Sequence, residues 1–320
     1  MKMREQREKM VIVGFGWVGQ ANALALDMLG YQTAYFDPGE PPRHYSEHAT
    51  RYDSVQKLGS VLERDAKDTW YVVCVGDRVG EDGTQDISNI RRALDSLRGA
   101  KGGVILRSTI LPDLLEELSF DYYVPEFLHE KQAVEECIDP YLLVIGKREG
   151  ARKEPALFDM WRGRCRKTFE GTPHGASMIK YLSNLWNATR IAFVNEFGDM
   201  VGRPSSKEEL GRIANVIDFL FDGRSYLRYG KAFGGHCLPK DSRAFKAWYA
   251  KKGGARPLLL EGVYASNEAH HALEEKYPLM PEWYSTWPEP HISGWHAWRE
   301  LRHAFGKRLK DPRLLFKRSR

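Results

Sequence analysis

Hydrophobic residues follow two different periods along the chain. Short, continuous apolar runs at residues 10–13, 70–76 and 103–109 are typical of strands buried on both faces of a parallel sheet. Apolar residues recur at helical spacing from residue 175 to 199, the longest such pattern, and again from 242 to 250. Strands alternating with helices, followed by helices alone, predict an α/β fold: a Rossmann-like, doubly wound parallel sheet and then an α-helical middle domain.

A glycine-rich turn follows the first predicted strand and reads G-x-G-x-x-G. Its first glycine allows a tight turn, the second lets a pyrophosphate approach, and the third lets the helix pack on the strand. The next strand ends at a carboxylate 18 residues later, which can bind both ribose hydroxyls and repel a 2′-phosphate. The pattern therefore predicts an NAD site, with NADP left open by Arg43. The predicted cofactor-binding residues are Gly14, Gly16, Trp17, Val18, Gly19 and Asp37.

The spacing of the cysteines and the hydropathy of the chain predict the compartment in which the protein works. The four cysteines (Cys74, Cys137, Cys165 and Cys237) are too widely spaced for a disulfide framework or a metal site, so we expect a reducing compartment and no metal. No apolar run approaches the ~18 residues of a membrane span, and the charged N-terminus does not look like a signal peptide. We therefore expect a soluble, cytoplasmic protein.

The positive charge is concentrated at the C-terminus. The formal net charge is +5, but residues 295–320 hold nine Arg or Lys and two acids, which gives +7 there and leaves −2 for the rest. Four tryptophans lie between residues 283 and 298. A basic aromatic segment can bind nucleic acid, an acidic lipid surface or a diphosphate. The alternative, which we favour, is a packing arm with solvated charges.

The segment richest in chemistry is AFGGHCLPKD, residues 232–241. Its glycines bring the backbone close to neighbouring groups, and Cys237 follows them. Backbone N–H groups and a nearby cation favour a thiolate, the nucleophilic form of the side chain. If a helix begins at Pro239, then Asp241 lies one turn from Cys237 and the two share one face. The alternative is a buried, structural cysteine in a glycine turn.

Three further places offer candidate site residues. Thr109 ends a predicted strand, where ligands gather in open α/β sheets, although helix capping explains a Ser-Thr pair equally well. Glu126 follows Pro125, a position that is more often a solvated loop. Lys180 and Asn184 are four residues apart on the long predicted helix and so share a face, which is usually solvated.

Together these segments resemble the nucleotide-sugar 6-dehydrogenases, the UDP-glucose and GDP-mannose dehydrogenase family. The family motifs GFGGSCxPKD, STVPPG and NPEFLxEG correspond here to AFGGHCLPKD, STILPD and VPEFLHE, and the long helix matches AEMIKYxxNxFLAxKIxFxNE. This chain departs from the pattern at Ala232, at His236, at Lys131, and at Asp77-Arg78, where the family has Thr-Pro. The resemblance spans roughly residues 9–270.

The resemblance implies an NAD-dependent oxidation of a sugar C6 hydroxymethyl to a carboxylate, with UDP-glucose or a UDP-hexosamine as the expected substrate, through a thiohemiacetal and a thioester on the cysteine. In that reaction Asp241, Lys180 or a water between them would act as the base. Lys180 and Asn184 would stabilise the oxyanion, and Glu126 and Thr109 would orient water. The implied catalytic residues are Cys237, Lys180, Asp241, Asn184, Glu126 and Thr109. The implied substrate-binding residues are Arg224, Phe233, Gly234 and Lys240.

These features predict three regions and two alternative functions. The regions are an NAD-binding domain at 1–172, a helical catalytic and dimerisation domain at 173–270, and a Trp-rich basic tail at 271–320. We expect a homodimer through the 175–199 helix, and a tail too short for the second Rossmann-like domain of family members. The alternatives are a dehydrogenase of a different alcohol, and a non-catalytic scaffold whose basic tail binds nucleic acid. The thiol, lysine and carboxylate set argues against the scaffold, since a fold alone does not need it.

Overall fold

The structure is a computed structural model that describes residues 8–129, 132–221, 226–227, 229–235, 237–252 and 256–276. The predicted substrate-binding residue Arg224 and nearly all of the predicted basic tail, residues 277–320, lie outside the described residues. None of the described helices is long and apolar enough to cross a membrane.

Strands and helices alternate through the first half of the described chain, and helices alone follow. The strands are β1 Lys9–Val13, β2 Gln32–Phe36, β3 Gln56–Lys57, β4 Thr69–Val73, β5 Arg78–Val79, β6 Gln85–Asp86, β7 Gly103–Leu106, β8 Tyr122–Tyr123, β9 Leu142–Lys147 and β10 Lys167–Gly171. The helices are α1 Trp17–Met28, α2 Ser88–Asp95, α3 Ala133–Ile138, α4 Ala156–Arg162, α5 Pro173–Val201, α6 Lys207–Phe221, α7 Cys237–Lys251 and α8 Leu258–Lys276.

Eight of the strands in the described residues form one sheet, in the order β10-β9-β8-β7-β4-β1-β2-β3. Every neighbouring pair is parallel except β8 and β9, where Tyr122 pairs with Lys147 in antiparallel register. The predicted α/β fold is confirmed, and the sheet is parallel apart from this reversal. The six-residue helix α3 is only about 9 Å long. The chain is therefore not carried back to the edge of the sheet where the parallel strands begin, and β9 runs antiparallel to β8.

Side chains from both faces of the sheet are buried, which is what defines a doubly wound fold. Ile12 and Val72 pack on one face with α1, α3 and α4. Their sequence neighbours Val11 and Val73 pack on the other face with α2 and with Ala176 of α5. Successive residues of a strand point to opposite faces, so continuous apolar runs are required here.

The chain divides into two compact units. The first, called the sheet unit, comprises the described residues within Met1–Leu185 and Pro239–Pro257. It includes the start of α5, where the Ser177 hydroxyl donates to the Ile110 carbonyl at 2.6 Å. The division therefore falls inside α5, whereas the sequence predicted a boundary at residue 172.

The second, called the helical unit, comprises the described residues within Trp186–Leu238 and Leu258–Arg320. One apolar cluster joins α5 and α6 through Val194, Leu210 and Ile213. A serine caps the start of α6, because the Glu209 N–H donates to Ser206 Oγ at 3.2 Å. The helix then continues to Phe221.

Candidate active site

The glycine turn after β1 has the geometry that its sequence predicts. Gly14 has φ +88°, and a Cβ on Gly19 would lie 2.0 Å from the Gly14 carbonyl oxygen, so α1 packs on the turn too closely for any other residue. A Cβ at Gly16 would meet no atom within 4 Å, which leaves that side of the turn open. A closely packed turn with an open face at the start of a helix fits the pyrophosphate of a dinucleotide.

The carboxylate at the end of β2 faces this turn. Asp37 Oδ2 accepts the Phe15 N–H at 2.7 Å, and its Oδ1 accepts the Gly39 N–H at 2.8 Å. Trp17 is exposed and stacks on the His44 ring, with centroids 3.9 Å apart. The predicted cofactor residues therefore share one edge of the sheet, and they fit NAD.

A buried ion pair connects α5 with the loop after β8. Lys180 Nζ lies 3.2 Å from Glu126 Oε1, and the two side chains are 4% and 10% exposed. Burial raises the pKa of Glu126, but the Lys180 ammonium and the Leu128 N–H outweigh it and hold that pKa below its usual range. Glu126 is therefore ionised, and both side chains lie inside the sheet unit, unlike the solvated positions that the sequence pattern alone favours.

A second buried charge cluster joins α5 with α7. Asn184 Nδ2 donates to Asp241 Oδ2 at 2.6 Å, and Lys240 Nζ donates to Asp241 Oδ1 at 2.6 Å and to Asp77 Oδ1 at 2.7 Å. The side chains of Asp241 and Asp77 are 2% and 6% exposed. One ammonium therefore serves two buried carboxylates.

This imbalance of charge sets the protonation of the second cluster. Burial raises the pKa of Asp241, the Lys240 and Lys180 ammonium groups oppose the shift, Asp77 adds to it, and the net pKa is raised. Burial lowers the pKa of Lys240, but its two carboxylate partners dominate and raise it, so Lys240 stays charged. Lys240 joins α7 to the loop after β4 in this structure, and its role in substrate binding stays a prediction.

Gln85 was missed by the sequence analysis and holds three segments together. Its Nε2 lies 2.6 Å from Asp77 Oδ2, 3.0 Å from the Thr109 carbonyl oxygen and 3.2 Å from Tyr181 Oη. Its Oε1 accepts the Leu111 N–H at 2.8 Å. Thr109 is thus joined through its backbone carbonyl to Gln85, which also contacts Asp77 of the second charge cluster. The only sequence signal was the acidic departure at Asp77, whose partners lie far away along the chain.

The cysteine segment begins a helix, though two residues earlier than predicted. Cys237 is exposed and is the first residue of α7, and Asp241 follows one turn later. Cys74 and Cys137 are buried, and burial raises the pKa of each thiol to about 12, so neither is a candidate nucleophile. None of the four cysteines, all of which are described, forms a disulfide.

The two predicted substrate residues before the cysteine differ in their surroundings. Phe233 is 2% exposed and packs among Ala188, Ile191 and Val263 in the helical unit. Its backbone N–H donates to Asn267 Oδ1 at 2.7 Å, so the structure gives Phe233 a packing role. Gly234 is exposed, with open space where a side chain would be.

The predicted catalytic residues fall into both units. The sheet unit brings together Glu126, Lys180, Asn184, Lys240, Asp241 and, through Gln85, Thr109. Cys237, Phe233 and Gly234 belong to the helical unit. Among the described residues, no group of three or more His, Cys, Asp or Glu side chains could hold a metal ion.

Comparisons with known proteins agree with this arrangement of motifs. Residues 174–269 match the model of the UDP-glucose/GDP-mannose dehydrogenase family, central domain. The chain is 31% identical over 226 residues to a GDP-mannose 6-dehydrogenase of Pseudomonas putida, covering 62% of this chain and 50% of that protein. It is 27% identical over 297 residues to a UDP-glucose 6-dehydrogenase of Rickettsia bellii, covering 82% and 68%. The chain thus spans about half the length of the first of these relatives.

The fold comparison gives the same result. The structure of a UDP-glucose dehydrogenase from Pyrobaculum islandicum superimposes with a TM-score of 0.70 at 25% identity, covering 86% of this chain and 73% of that one. The matched central domain includes α5, α6, α7 and the cysteine segment. In its motifs, its fold and these similarities the chain resembles the UDP-glucose/GDP-mannose dehydrogenase family, and its residues 174–269 match the central domain of that family.

Proposed function

We propose that the protein is an NAD-dependent oxidoreductase that converts the C6 hydroxymethyl of a nucleotide sugar to a carboxylate. The observation that carries the proposal is the buried charge set at the carboxyl edge of the sheet, in which Lys180 pairs with Glu126 and Asn184 binds Asp241. A stable fold does not need such a set, because buried ion pairs seldom add to stability over apolar residues.

The chemistry divides among these residues according to their charge. A bound dinucleotide would accept the hydride at each oxidation. Lys180 and Asn184 carry the N–H donors that would stabilise an oxyanion on the sugar. Asp241, directly or through a water between it and Lys180, would take the proton of the C6 hydroxyl. Glu126, held ionised by Lys180, is suited to accept a proton from water, and Thr109 would help to orient that water.

The covalent step is assigned to Cys237. Its sulfur would add to the aldehyde carbon to form a thiohemiacetal, and loss of a second hydride would leave a thioester. Water would then cleave the carbon–sulfur bond, releasing the carboxylate and the thiol. The sequence consumes one water and transfers four electrons, so two NAD molecules are reduced for each sugar.

The substrate is proposed to be UDP-glucose or a UDP-hexosamine. Two of the similar proteins are named for GDP-mannose and for UDP-glucose, so GDP-mannose belongs in the same panel. We expect one sugar of the panel to give two NADH per molecule oxidised. One NADH per sugar would indicate a simple alcohol oxidation without the thioester, and no NADH with any sugar would contradict the proposed substrate class.

The cysteine step is tested by Cys237→Ser, with Cys165→Ser as the matched control. Cys165 lies in the sheet unit, half-buried, with its Sγ 2.9 Å from the Thr168 hydroxyl. We expect Cys237→Ser to stop the reaction after the first oxidation and Cys165→Ser to retain both. Full two-step activity in Cys237→Ser would disprove the covalent mechanism.

We also propose a homodimer that buries the outer face of α5. In the helical unit, Trp186, Phe193, Phe197 and Met200 are 44–68% exposed, and Phe219 of α6 is 90% exposed. Contiguous apolar side chains of this size on a surface are typical of protein interfaces. Light scattering after gel filtration should give a dimer for the wild type and a monomer for Phe197→Glu. A monomeric wild type at micromolar concentration would contradict the proposal.

A further inference from the structure

Arg107 is a buried cation in the sheet unit whose guanidinium has no hydrogen-bonding partner among the described residues. It follows β7, is 6% exposed, and its backbone N–H donates to the Val73 carbonyl at 2.9 Å. Among the described residues no acceptor bonds its guanidinium, and the buried Nε has no partner. The guanidinium lies over the Trp161 ring, 5.3 Å from its centroid. Such a contact recovers only part of the cost of burying a charge.

The guanidinium lines a pocket with mainly apolar walls. The loop after β8 contributes Pro125, Phe127 and Leu128, and α4 contributes Trp161. A positive charge beside apolar walls is shielded from water, which strengthens its attraction for an anion. A pocket with apolar lining residues and a small number of polar groups, here Arg107 and Glu136, is typical of a site for a small ligand.

The acids near Arg107 already have other partners. Glu136, which also lines the pocket, accepts the His129 N–H at 2.6 Å and lies 2.7 Å from His129 Nδ1. Glu126 is paired with Lys180. The nearby Cys137 thiol stays neutral, because burial raises its pKa to about 12. Among the described residues, the acids near Arg107 are therefore hydrogen-bonded to other groups and not to its guanidinium.

We propose that this pocket is a binding site for a small monocarboxylate, held by the Arg107 guanidinium. A planar carboxylate can accept two parallel N–H bonds from the guanidinium fork, and a short alkyl group fits the apolar wall. A phosphate dianion is disfavoured, because the Glu136 carboxylate in the same pocket repels a ligand in proportion to its charge. Binding of a carboxylate at this site does not require the proposed oxidation to occur.

Occupation of the pocket would also affect the proposed active site. Arg107 is one of the positive charges that act on Glu126, and Pro125 and Phe127, which line the pocket, flank that residue. A bound carboxylate would neutralise the guanidinium and weaken its field at Glu126. The two sites are therefore electrostatically linked.

The test is a thermal-melting titration of the full chain with sodium acetate, with sodium chloride and sodium phosphate at matched ionic strength as separate arms. Acetate should raise the melting temperature in a saturable manner, beyond the effect of either other salt. Arg107→Met should weaken acetate binding by roughly tenfold or more, the usual loss for a charge-assisted bond. Arg148→Met is the matched control, because Arg148 also lies over an aromatic ring, Phe120, but donates to the Leu115 carbonyl.

A second variant keeps the test decisive if Arg107→Met does not fold. Glu136→Gln removes the opposing charge and should tighten acetate binding several-fold. Acetate that acts no differently from chloride on the wild type would overturn the proposal, as would an unchanged response in Arg107→Met or Glu136→Gln. Phosphate binding more tightly than acetate would overturn the assignment to a monocarboxylate.

Discussion

Two buried lysines in the sheet unit have different carboxylate environments. Lys180 is paired with one carboxylate, Glu126, whose pKa is lowered although burial alone would raise it. Lys240 is shared between Asp77 and Asp241, and the pKa of Asp241 is raised, mainly by burial and partly by the second acid. The comparison teaches that burial raises the pKa of both acids, and that the balance between burial and the charged groups around each acid decides which one keeps a low pKa.

The difference matters for the proposed chemistry. A carboxylate kept ionised is suited to activate water, which is the role proposed for Glu126. A carboxyl group with a raised pKa binds and releases a proton closer to neutral pH, which suits proton transfer from a sugar hydroxyl. Two groups of the same chemical type thereby acquire separate roles from their neighbours.

The largest expected effect comes from removing each lysine. Lys180→Met leaves one buried carboxylate without its cation, a change that costs about 3–5 kcal/mol of unfolding free energy. Lys240→Met leaves two such carboxylates and should cost more. Urea denaturation at pH 7 measures both. Lys251→Met, an exposed lysine on α7, is the control and should change stability by less than about 0.5 kcal/mol. Equal losses in the two variants would contradict the one-to-two comparison.

A smaller effect separates the two acids by the pH dependence of stability. The folded-state pKa of Glu126 is lowered, so its contribution is present above the ordinary pKa of about 4.3 and is lost as pH falls through the folded value. The pKa of Asp241 is raised, so its contribution is complete below the ordinary value of about 3.9 and is lost as pH rises through the folded value.

Glu126→Gln should therefore gain stability relative to the wild type as pH falls below about 4.3, whereas Asp241→Asn should gain as pH rises above about 3.9. Urea midpoints measured between pH 3 and pH 8 give both slopes. Slopes of the same sign would show that Asp241 is stabilised as an ion like Glu126.

The smallest effect is expected from a change that leaves Lys240 with one carboxylate partner, as Lys180 has. Asp77→Asn leaves Lys240 with one carboxylate and keeps an oxygen that can accept its hydrogen bond. Stability at pH 7 should change by no more than about 1 kcal/mol, the net value of a typical hydrogen bond. The pKa of Asp241, followed by NMR titration, should fall because a repelling charge is gone. An unchanged pKa would mean that burial alone sets it.

Some of the site could be predicted before the fold was known, and some could not. The helix at Gly175 to Asp199 and the pairing of Lys180 with Asn184 on one face follow from local periodicity. The burial of that face does not, because helical spacing does not show which side is covered. Asp77 stands out in the sequence only as a departure from a motif. Its partner Lys240 lies 163 residues away, a separation that no local pattern reports.

The sequence by itself determined the alternation of strands and helices and the conformation of the glycine turn, since both depend on sterics and periodicity between near neighbours. Tertiary structure alone decided that β9 runs against β8, that Lys180 faces Glu126 across 54 residues, and that two acids share Lys240. The physical reason is that protonation depends on burial and on charges brought together from distant segments. Both exist only when the sheet and its helices are packed.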